Sequence, residues 1–234
     1  MSKYTGPDPS NLDEHYRTDP WVVHRLLEKL SDEQRLAFRG HCVSPCAGDG
    51  AIVQAVNTFF GPGYVQRWTM IEKQPRFTQA LLDLVDGAPP SRTTYHLKFA
   101  SDTHKVRESY TTAGTDYNVM CGNALLLTNR LRRPAVSVVI DNPPFSRALA
   151  FYKKYRPIAP GGLYFLLRTS WLETVERHEY LQHDMPDVYL LPQRPSFVVE
   201  GGTDAASYSW MHWGVERKPV ATIRLCNLTP KDER

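Results

Sequence analysis

The sequence predicts an α/β fold in which a mostly parallel sheet carries helices on both faces and has antiparallel strands at one edge. In the first two thirds of the chain, short apolar runs alternate with amphipathic segments, the pattern of a parallel sheet with crossover helices. After Pro186 only strand-like runs follow one another, which indicates the antiparallel edge. Because ligands of open α/β sheets bind outside the carboxyl ends of the strands, we expect the chemistry at those ends.

The helices are predicted from apolar residues that recur at helical spacing. The first helix has Asp19 as its expected N-cap and Pro20 in its first turn, where a missing N–H costs nothing. The expected helices cover residues 20–30, 49–60, 75–85 and 146–155.

The strands are predicted from short apolar runs rich in β-branched residues. The run AVSVVI at 135–140 has the composition of a strand that is buried on both faces of a parallel sheet. The other expected strands cover residues 41–44, 67–71, 117–120, 163–167, 188–191, 208–215 and 222–225.

One domain is expected over residues 16–228, because the 234-residue chain shows no repeat and no low-complexity tract. Residues 1–15 are expected to form a flexible N-terminal arm and residues 229–234 a tail, while the polar stretch 87–114 is predicted to be an irregular insertion. A separate recognition domain of about 100 residues does not fit. The sequence therefore predicts a small protein that recognises only a short target, or one that needs a second subunit to complete its recognition surface.

The composition argues against several functional classes. The 28 Lys and Arg against 25 Asp and Glu give a net charge of +3, which permits nucleic-acid binding without requiring it. No apolar run reaches the roughly 18 residues of a membrane span, and the polar first residues lack the apolar stretch of a secretory signal. Since Cys42, Cys46, Cys121 and Cys226 form no CxxC pair, we expect no metal, no disulfide framework and a reducing, cytoplasmic location.

A glycine-containing turn follows the first strand, at Pro45–Cys46–Ala47–Gly48–Asp49–Gly50. Its glycines allow the backbone to approach a ligand closely, and the helix that follows offers free N–H groups. Glu72 ends the second strand, where a carboxylate can bind ribose hydroxyls or, alternatively, cap the next helix. Asn123 follows the third strand and could read an adenine edge or serve as a turn residue.

The most informative segment is Asn142–Pro143–Pro144–Phe145, directly after the buried strand. The two prolines fix the backbone and present the preceding carbonyl and amide groups in a rigid frame. The Asn142 side chain and the Pro143 carbonyl can accept hydrogen bonds from a planar amine, which makes its electron pair available to an electrophile. Phe145 offers a flat face on which a base taken out of a duplex could stack.

Taken together, these segments resemble the S-adenosylmethionine-dependent amino-methyltransferases, and most specifically the DNA adenine-N6 enzymes of the small phage and prophage type. The resemblance implies a Rossmann-like class I methyltransferase fold with a seven-stranded sheet, and catalytic residues Asn142, Pro143, Pro144 and Phe145. It implies a cofactor site formed by Tyr16, Thr18, Pro45, Cys46, Ala47, Gly48, Asp49, Gly50, Glu72, Lys73, Asn123, Ala124 and Asn142.

The sequence departs from this family at three positions. Ser44 stands where the family usually has Asp or Glu, Asn123 where it has Asp, and Asp19 where it has proline. The segment 16–21 is similar to an upstream motif of the family that opens a helix. Segments that resemble the small phage and prophage members lie at 165–168, 191–197 and 208–213.

The implied reaction is methyl transfer from S-adenosylmethionine to the N6 amine of adenine in DNA, in a bacterial or phage-infected cell. The implied partners are double-stranded DNA with a flipped base and a second copy or subunit, with Arg17, Arg168 and Arg194 as candidates for phosphate contacts. A basic cluster at Arg130, Arg132 and Arg133 is a weaker candidate, since it could be a solvated face. The alternatives are transfer to cytosine N4, an RNA base or a glutamine amide, and a non-catalytic cofactor-binding subunit.

Overall fold

The computed structural model describes residues 17–85, 107–112, 114–126, 135–193, 195, 206–215 and 225–228, and every structural statement below refers to these residues. Tyr16, Arg194 and the basic cluster at 130–133 lie outside them, as do the predicted arm and tail.

The described chain contains six α-helices, and the four predicted ones are confirmed with shifts of a few residues at their ends. Short helices around residues 32–37 and 175–181 were not predicted from the sequence. The first of these begins with a capping box between Ser31 and Gln34, a signal that the sequence does contain. The helices are α1 (Pro20–Lys29), α2 (Asp32–Ala37), α3 (Ala51–Phe60), α4 (Pro75–Asp83), α5 (Ala148–Tyr155) and α6 (Val175–Leu181).

The strands form one mixed sheet, which has nine strands in the described residues rather than the expected seven. They are β1 (His41–Ser44), β2 (Arg67–Glu72), β3 (Arg107–Thr112), β4 (Thr115–Cys121), β5 (Val138–Asp141), β6 (Gly162–Arg168), β7 (Asp187–Leu190), β8 (Tyr208–Trp213) and β9 (Leu225–Asn227). Their order across the sheet is β3-β4-β2-β1-β5-β6-β8-β7-β9. Strands β3 and β9 occupy the outer edges. Of these two, β9 overlaps the expected strand at 222–225, whereas β3 was not expected.

The directions of the strands agree with the predicted mixture. Strands β4, β2, β1, β5 and β6 run parallel to one another, so their carboxyl ends lie along one edge of the sheet. Strand β8 is antiparallel to both β6 and β7, and β3 is antiparallel to β4. The prediction that 87–114 is irregular is therefore wrong for residues 107–112. An edge strand that is polar throughout lacks the apolar alternation from which strands are predicted.

Two apolar layers cover the two faces of the sheet. Alternate residues of β5 point to opposite layers, with Val138 and Ile140 in one cluster and Val139 in the other. Helices α1, α3 and α4 contribute to the first cluster, whereas α5 and α6 contribute to the second. This arrangement confirms the predicted α/β fold with helices on both faces. Within the described ranges, no helix is both long and apolar enough to cross a membrane.

Candidate functional site

A cleft lies at the carboxyl ends of β1, β2, β4 and β5, where the sequence predicted the chemistry. The space outside protein atoms in this cleft, open solvent included, is about 1010 Å³. The predicted residues that line it are Arg17, Thr18, Pro45, Cys46, Ala47, Gly48, Asp49, Glu72, Lys73, Asn123, Ala124, Asn142 and Pro144. The fold therefore brings together segments from four strand ends and from the stretch before α1.

The glycine turn connects β1 to α3 and forms one wall of the cleft. Gly48 and Gly50 both have positive φ, 53° and 83°, a conformation that favours glycine. A Cβ at Gly50 would lie 2.1 Å from Leu84 Cδ1, so the close approach at Gly50 is to the end of α4. Gly50 is the N-cap of α3 and does not belong to the cleft wall, unlike Gly48.

Glu72 supports the glycine turn from the neighbouring strand. Its Oε2 accepts a hydrogen bond from the Gly48 N–H at 2.8 Å, and its Oε1 accepts one from the Gln74 N–H at 2.6 Å. The residue is buried, and this burial raises the pKa of its carboxyl group, although the backbone donors oppose the shift. Glu72 thus has the capping role that the sequence left open, while it also lines the cleft.

Asn123 closes the far side of the cleft after β4. Its Oδ1 accepts a hydrogen bond from the Leu125 N–H at 3.0 Å, which is the turn role that the sequence offered as an alternative. Asn123 also lines the cleft, and its contact with a bound adenine ring stays a prediction.

The Asn142 amide is fixed by a residue 124 positions earlier in the chain. Its Nδ2 donates a hydrogen bond to Thr18 Oγ1 at 3.2 Å, and Thr18 is buried. This bond joins the segment before α1 to the Pro-Pro turn after β5. Pro143 is buried behind the cleft wall, whereas Pro144 forms part of it.

Asp141, which the sequence analysis did not single out, is a buried carboxylate beside this turn. Its Oδ2 accepts from Ser44 Oγ at 3.1 Å and from the Cys46 N–H at 2.5 Å, and its Oδ1 accepts from the Asn142 N–H at 2.7 Å. Burial raises its pKa to about 7 against the effect of these donors, and the charge of Glu72 adds to the rise. The signal that could have found it is a carboxylate at the end of an otherwise apolar strand.

The thiols of Cys42 and Cys46 are not activated for chemistry. Burial and the nearby carboxylates of Asp141 and Glu72 raise the pKa of the Cys46 thiol, so it stays protonated. Burial likewise raises the pKa of Cys42. All four cysteines are free.

Phe145 lies beside the cleft in a small aromatic and cationic cluster. Its ring centroid is 5.6 Å from that of Tyr208, and Arg168 Cζ lies 5.3 Å from the centre of the Phe145 ring. Arg168 Nε also donates to the Tyr208 hydroxyl at 3.4 Å. A predicted phosphate-binding arginine therefore packs on the predicted base-stacking ring.

Arg17, another predicted phosphate contact, is exposed and forms an ion pair with Asp49 of the glycine turn at 2.8 Å. Its guanidinium is thus located at the cleft wall.

No protein-family model and no curated protein matches the sequence. Among solved structures, the chain is similar to a class I S-adenosylmethionine-dependent methyltransferase of Listeria monocytogenes, with a TM-score of 0.56 and 12% identity over 92% of this chain and 64% of that one. It is also similar to the methyltransferase subunit of a type I restriction-modification system of Streptococcus thermophilus, with a TM-score of 0.58 and 12% identity over 87% of this chain and 45% of that one.

A third similar structure is the M protein of the type I restriction enzyme EcoKI, with a TM-score of 0.55 and 13% identity over 91% of this chain and 46% of that one. The chain spans less than two thirds of the length of each of the three proteins. The described chain has the Rossmann-like fold of the class I S-adenosylmethionine-dependent methyltransferases.

Proposed function

We propose that the protein transfers a methyl group from S-adenosylmethionine to the N6 amine of adenine in DNA, with the target base flipped out of the duplex. The observation that carries this proposal is the Asn142 amide, which Thr18 fixes at the mouth of a cleft between the strand ends. An amide held in this way, next to two prolines, suits the recognition of a planar amine.

The cleft wall fits the proposed cofactor. Glu72 places a carboxylate beside the glycine turn, where ribose hydroxyls can donate to it, and Asn123 places an amide on the side expected for an adenine ring. At Gly48, positive φ leaves the backbone close to the cleft without a Cβ. When bound, S-adenosylmethionine supplies a methyl group that its positively charged sulfur has already activated.

The residues around Asn142 would position the target amine. Asn142 Oδ1 and the Pro143 carbonyl accept hydrogen bonds from the two amine hydrogens, which orients the nitrogen lone pair towards the methyl carbon. Phe145 stacks on the flipped base. Since the methyl group is already activated, the protein contributes mainly position and electrostatics, and the amine proton leaves to solvent.

DNA is favoured as substrate by two observations. Arg168 lies over the proposed stacking ring, so its guanidinium is close to the place proposed for the flipped nucleotide, where it can meet a phosphate. Two of the similar structures are named as methyltransferase components of restriction enzymes. Because this chain spans about half of those proteins, we propose that a second copy or another subunit contributes to reading the DNA sequence.

The proposal is tested by incubating the protein with S-adenosylmethionine labelled on its methyl group. Amplified DNA, which carries no methylation, is offered beside total RNA and a protein extract, and the three pools are then separated. We expect the label in DNA. Label confined to RNA or protein would favour the alternatives with the same planar-amine chemistry, and label in none would favour a non-catalytic subunit.

Replacing Thr18 by valine is expected to lower kcat by about tenfold, because the Asn142 amide loses the acceptor that orients it. Serine at position 18 keeps the hydroxyl and is expected to restore most of the rate. Steady-state kinetics with varied cofactor distinguish this role from a simple binding contact. A raised KM for the cofactor with an unchanged kcat would show that Thr18 does not position Asn142.

Replacing Arg168 by glutamine is expected to weaken DNA binding and to reduce the slope of log affinity against log salt by about one, since one phosphate contact is lost. Arg67→Gln is the matched control, because Arg67 begins β2 at the opposite edge of the sheet and pairs with Asp116 at 2.9 Å. Fluorescence anisotropy of a labelled duplex at several salt concentrations measures both slopes. If R168Q and the wild type give equal slopes, Arg168 does not contact a DNA phosphate.

A further inference from the structure

Besides Glu72, the cleft contains a second buried carboxylate, that of Asp141, which the proposed reaction does not use. It ends β5 and reaches back to the neighbouring strand β1, where it accepts hydrogen bonds from Ser44 Oγ and from the Cys46 N–H. The residue is only 1% exposed, and it lines the cleft. The carboxyl end of β1 itself carries the uncharged Ser44, so the carboxyl group at this point comes from β5.

The two carboxylates occupy different parts of the cleft. Glu72 lies at the end of β2, towards β4 and Asn123, and holds the glycine turn and the start of α4. Asp141 lies between β1 and β5, beside Asn142 and thus beside the place proposed for the target amine. A ligand that places its nucleoside at Glu72 therefore extends its other end towards Asp141.

A buried carboxylate is stable when its remaining lone pairs meet donors or a cation. The described contacts of Asp141 are three hydrogen bonds, while a carboxylate offers about four acceptor positions. The amino-acid part of S-adenosylmethionine carries an ammonium group, which has three N–H donors and a positive charge. The sulfonium centre of the same molecule is also positive but has no hydrogen to donate.

We infer that Asp141 binds the ammonium group of the amino-acid part of the cofactor, in place of a carboxylate at the end of β1. This inference rests on the proposed function, since it assigns a contact within the same cofactor site. It makes Asp141 a binding residue that sets the position of the cofactor next to Asn142.

The protonation of Asp141 gives the inference a second consequence. Its pKa of about 7 means that much of the carboxyl group is protonated near neutral pH in the free protein. The titratable groups that face it are Cys46, Glu72 and Tyr155, and the further charged residues of the cleft are Arg17, Asp49, Lys73 and Arg147. An arriving ammonium group favours the ionised form, so binding releases a proton and strengthens as the pH rises through about 7.

The test compares two variants and three ligands by isothermal calorimetry. The ligands are S-adenosylmethionine, S-adenosylhomocysteine, which keeps the ammonium but not the sulfonium, and 5′-methylthioadenosine, which has neither. Asp141→Asn is expected to weaken the first two by at least about tenfold and to leave the third within about twofold. Glu72→Gln is the matched carboxylate control and is expected to weaken all three ligands alike.

Each other pattern overturns the inference. A loss for S-adenosylmethionine alone would assign Asp141 to the sulfonium, and equal losses for all three ligands would assign it a purely structural role. If the wild-type protein binds none of the three, the proposed function itself fails, which is a different result.

A measurement on the wild-type protein keeps the inference testable if D141N does not fold. Binding of S-adenosylhomocysteine near pH 7, measured in buffers of different ionisation enthalpy, is expected to release protons, whereas binding of 5′-methylthioadenosine is not. Equal proton release for both ligands would contradict the assignment.

Discussion

Replacing Asn142 by alanine is expected to lower the rate of methyl transfer by at least about a hundredfold while changing cofactor affinity by less than about threefold. The alanine removes the amide that Thr18 holds, so that only the Pro143 carbonyl remains of the two proposed acceptors for the target amine. Single-turnover transfer to unmethylated DNA measures the rate, and calorimetry measures the affinity for S-adenosylhomocysteine.

Asn123→Ala is the matched control, because it makes the same change in the same cleft at a residue proposed to contact the cofactor ring. We expect it to weaken cofactor binding and to leave the rate at saturating cofactor largely unchanged. If N142A transfers methyl groups at the wild-type rate, Asn142 takes no part in the reaction, and the proposed function loses its main support.

Replacing Asp184 by alanine is expected to lower the free energy of unfolding by about 3–5 kcal/mol, since it leaves a buried guanidinium without its partner. Asp184 and Arg156 have exposed side-chain fractions of 2% and 9%, and their two hydrogen bonds measure 2.7 and 3.1 Å. The Asp184 carboxylate also accepts from the Tyr152 hydroxyl at 2.9 Å. Denaturant unfolding followed by tryptophan fluorescence measures the loss.

Asp116→Ala provides the comparison, because Asp116 pairs with Arg67 at a similar 2.9 Å but at an exposed site, with side-chain exposures of 43% and 34%. The guanidinium of Arg67 lowers the pKa of Asp116, yet water solvates both partners when the pair is broken. This variant is expected to lose less than about 1 kcal/mol. If both variants lose the same free energy of unfolding, burial does not determine how much these ion pairs contribute to stability.

Much of the fold could be predicted from the sequence because its central elements have local signals. The strands β1, β2, β5 and β6 are short apolar runs, and α1 and α3 carry apolar residues at helical spacing. The elements that were missed have weak or conflicting signals. Strand β3 is polar throughout, and α2, six residues long, buries no residue, so neither shows an apolar periodicity.

The candidate site could be located from the sequence but not assembled from it. The strand-end residues Glu72, Asn123 and Asn142 were expected in one cleft, because parallel strands end at one edge of a sheet. The bond between Thr18 and Asn142 joins residues 124 positions apart, and no local pattern indicates such a contact.

Two further features of the site depend on the tertiary structure in the same way. Asp141 follows the expected strand 135–140 and was not predicted as a site residue, because its contacts with Ser44 and Cys46 depend on the pairing of β5 with β1. Gly50 was expected to allow close approach of a ligand, whereas a Cβ at this position would meet the side chain of Leu84.

The central claim is that this cleft methylates the N6 amine of adenine in DNA. The most direct measurement digests DNA labelled by the wild-type protein to nucleosides and identifies the methylated product by mass spectrometry, with N142A as the control reaction. The account predicts N6-methyl-2′-deoxyadenosine from the wild type and none above background from N142A. A product that is only N4-methyl-2′-deoxycytidine, or DNA that carries no methylated nucleoside at all, would contradict it.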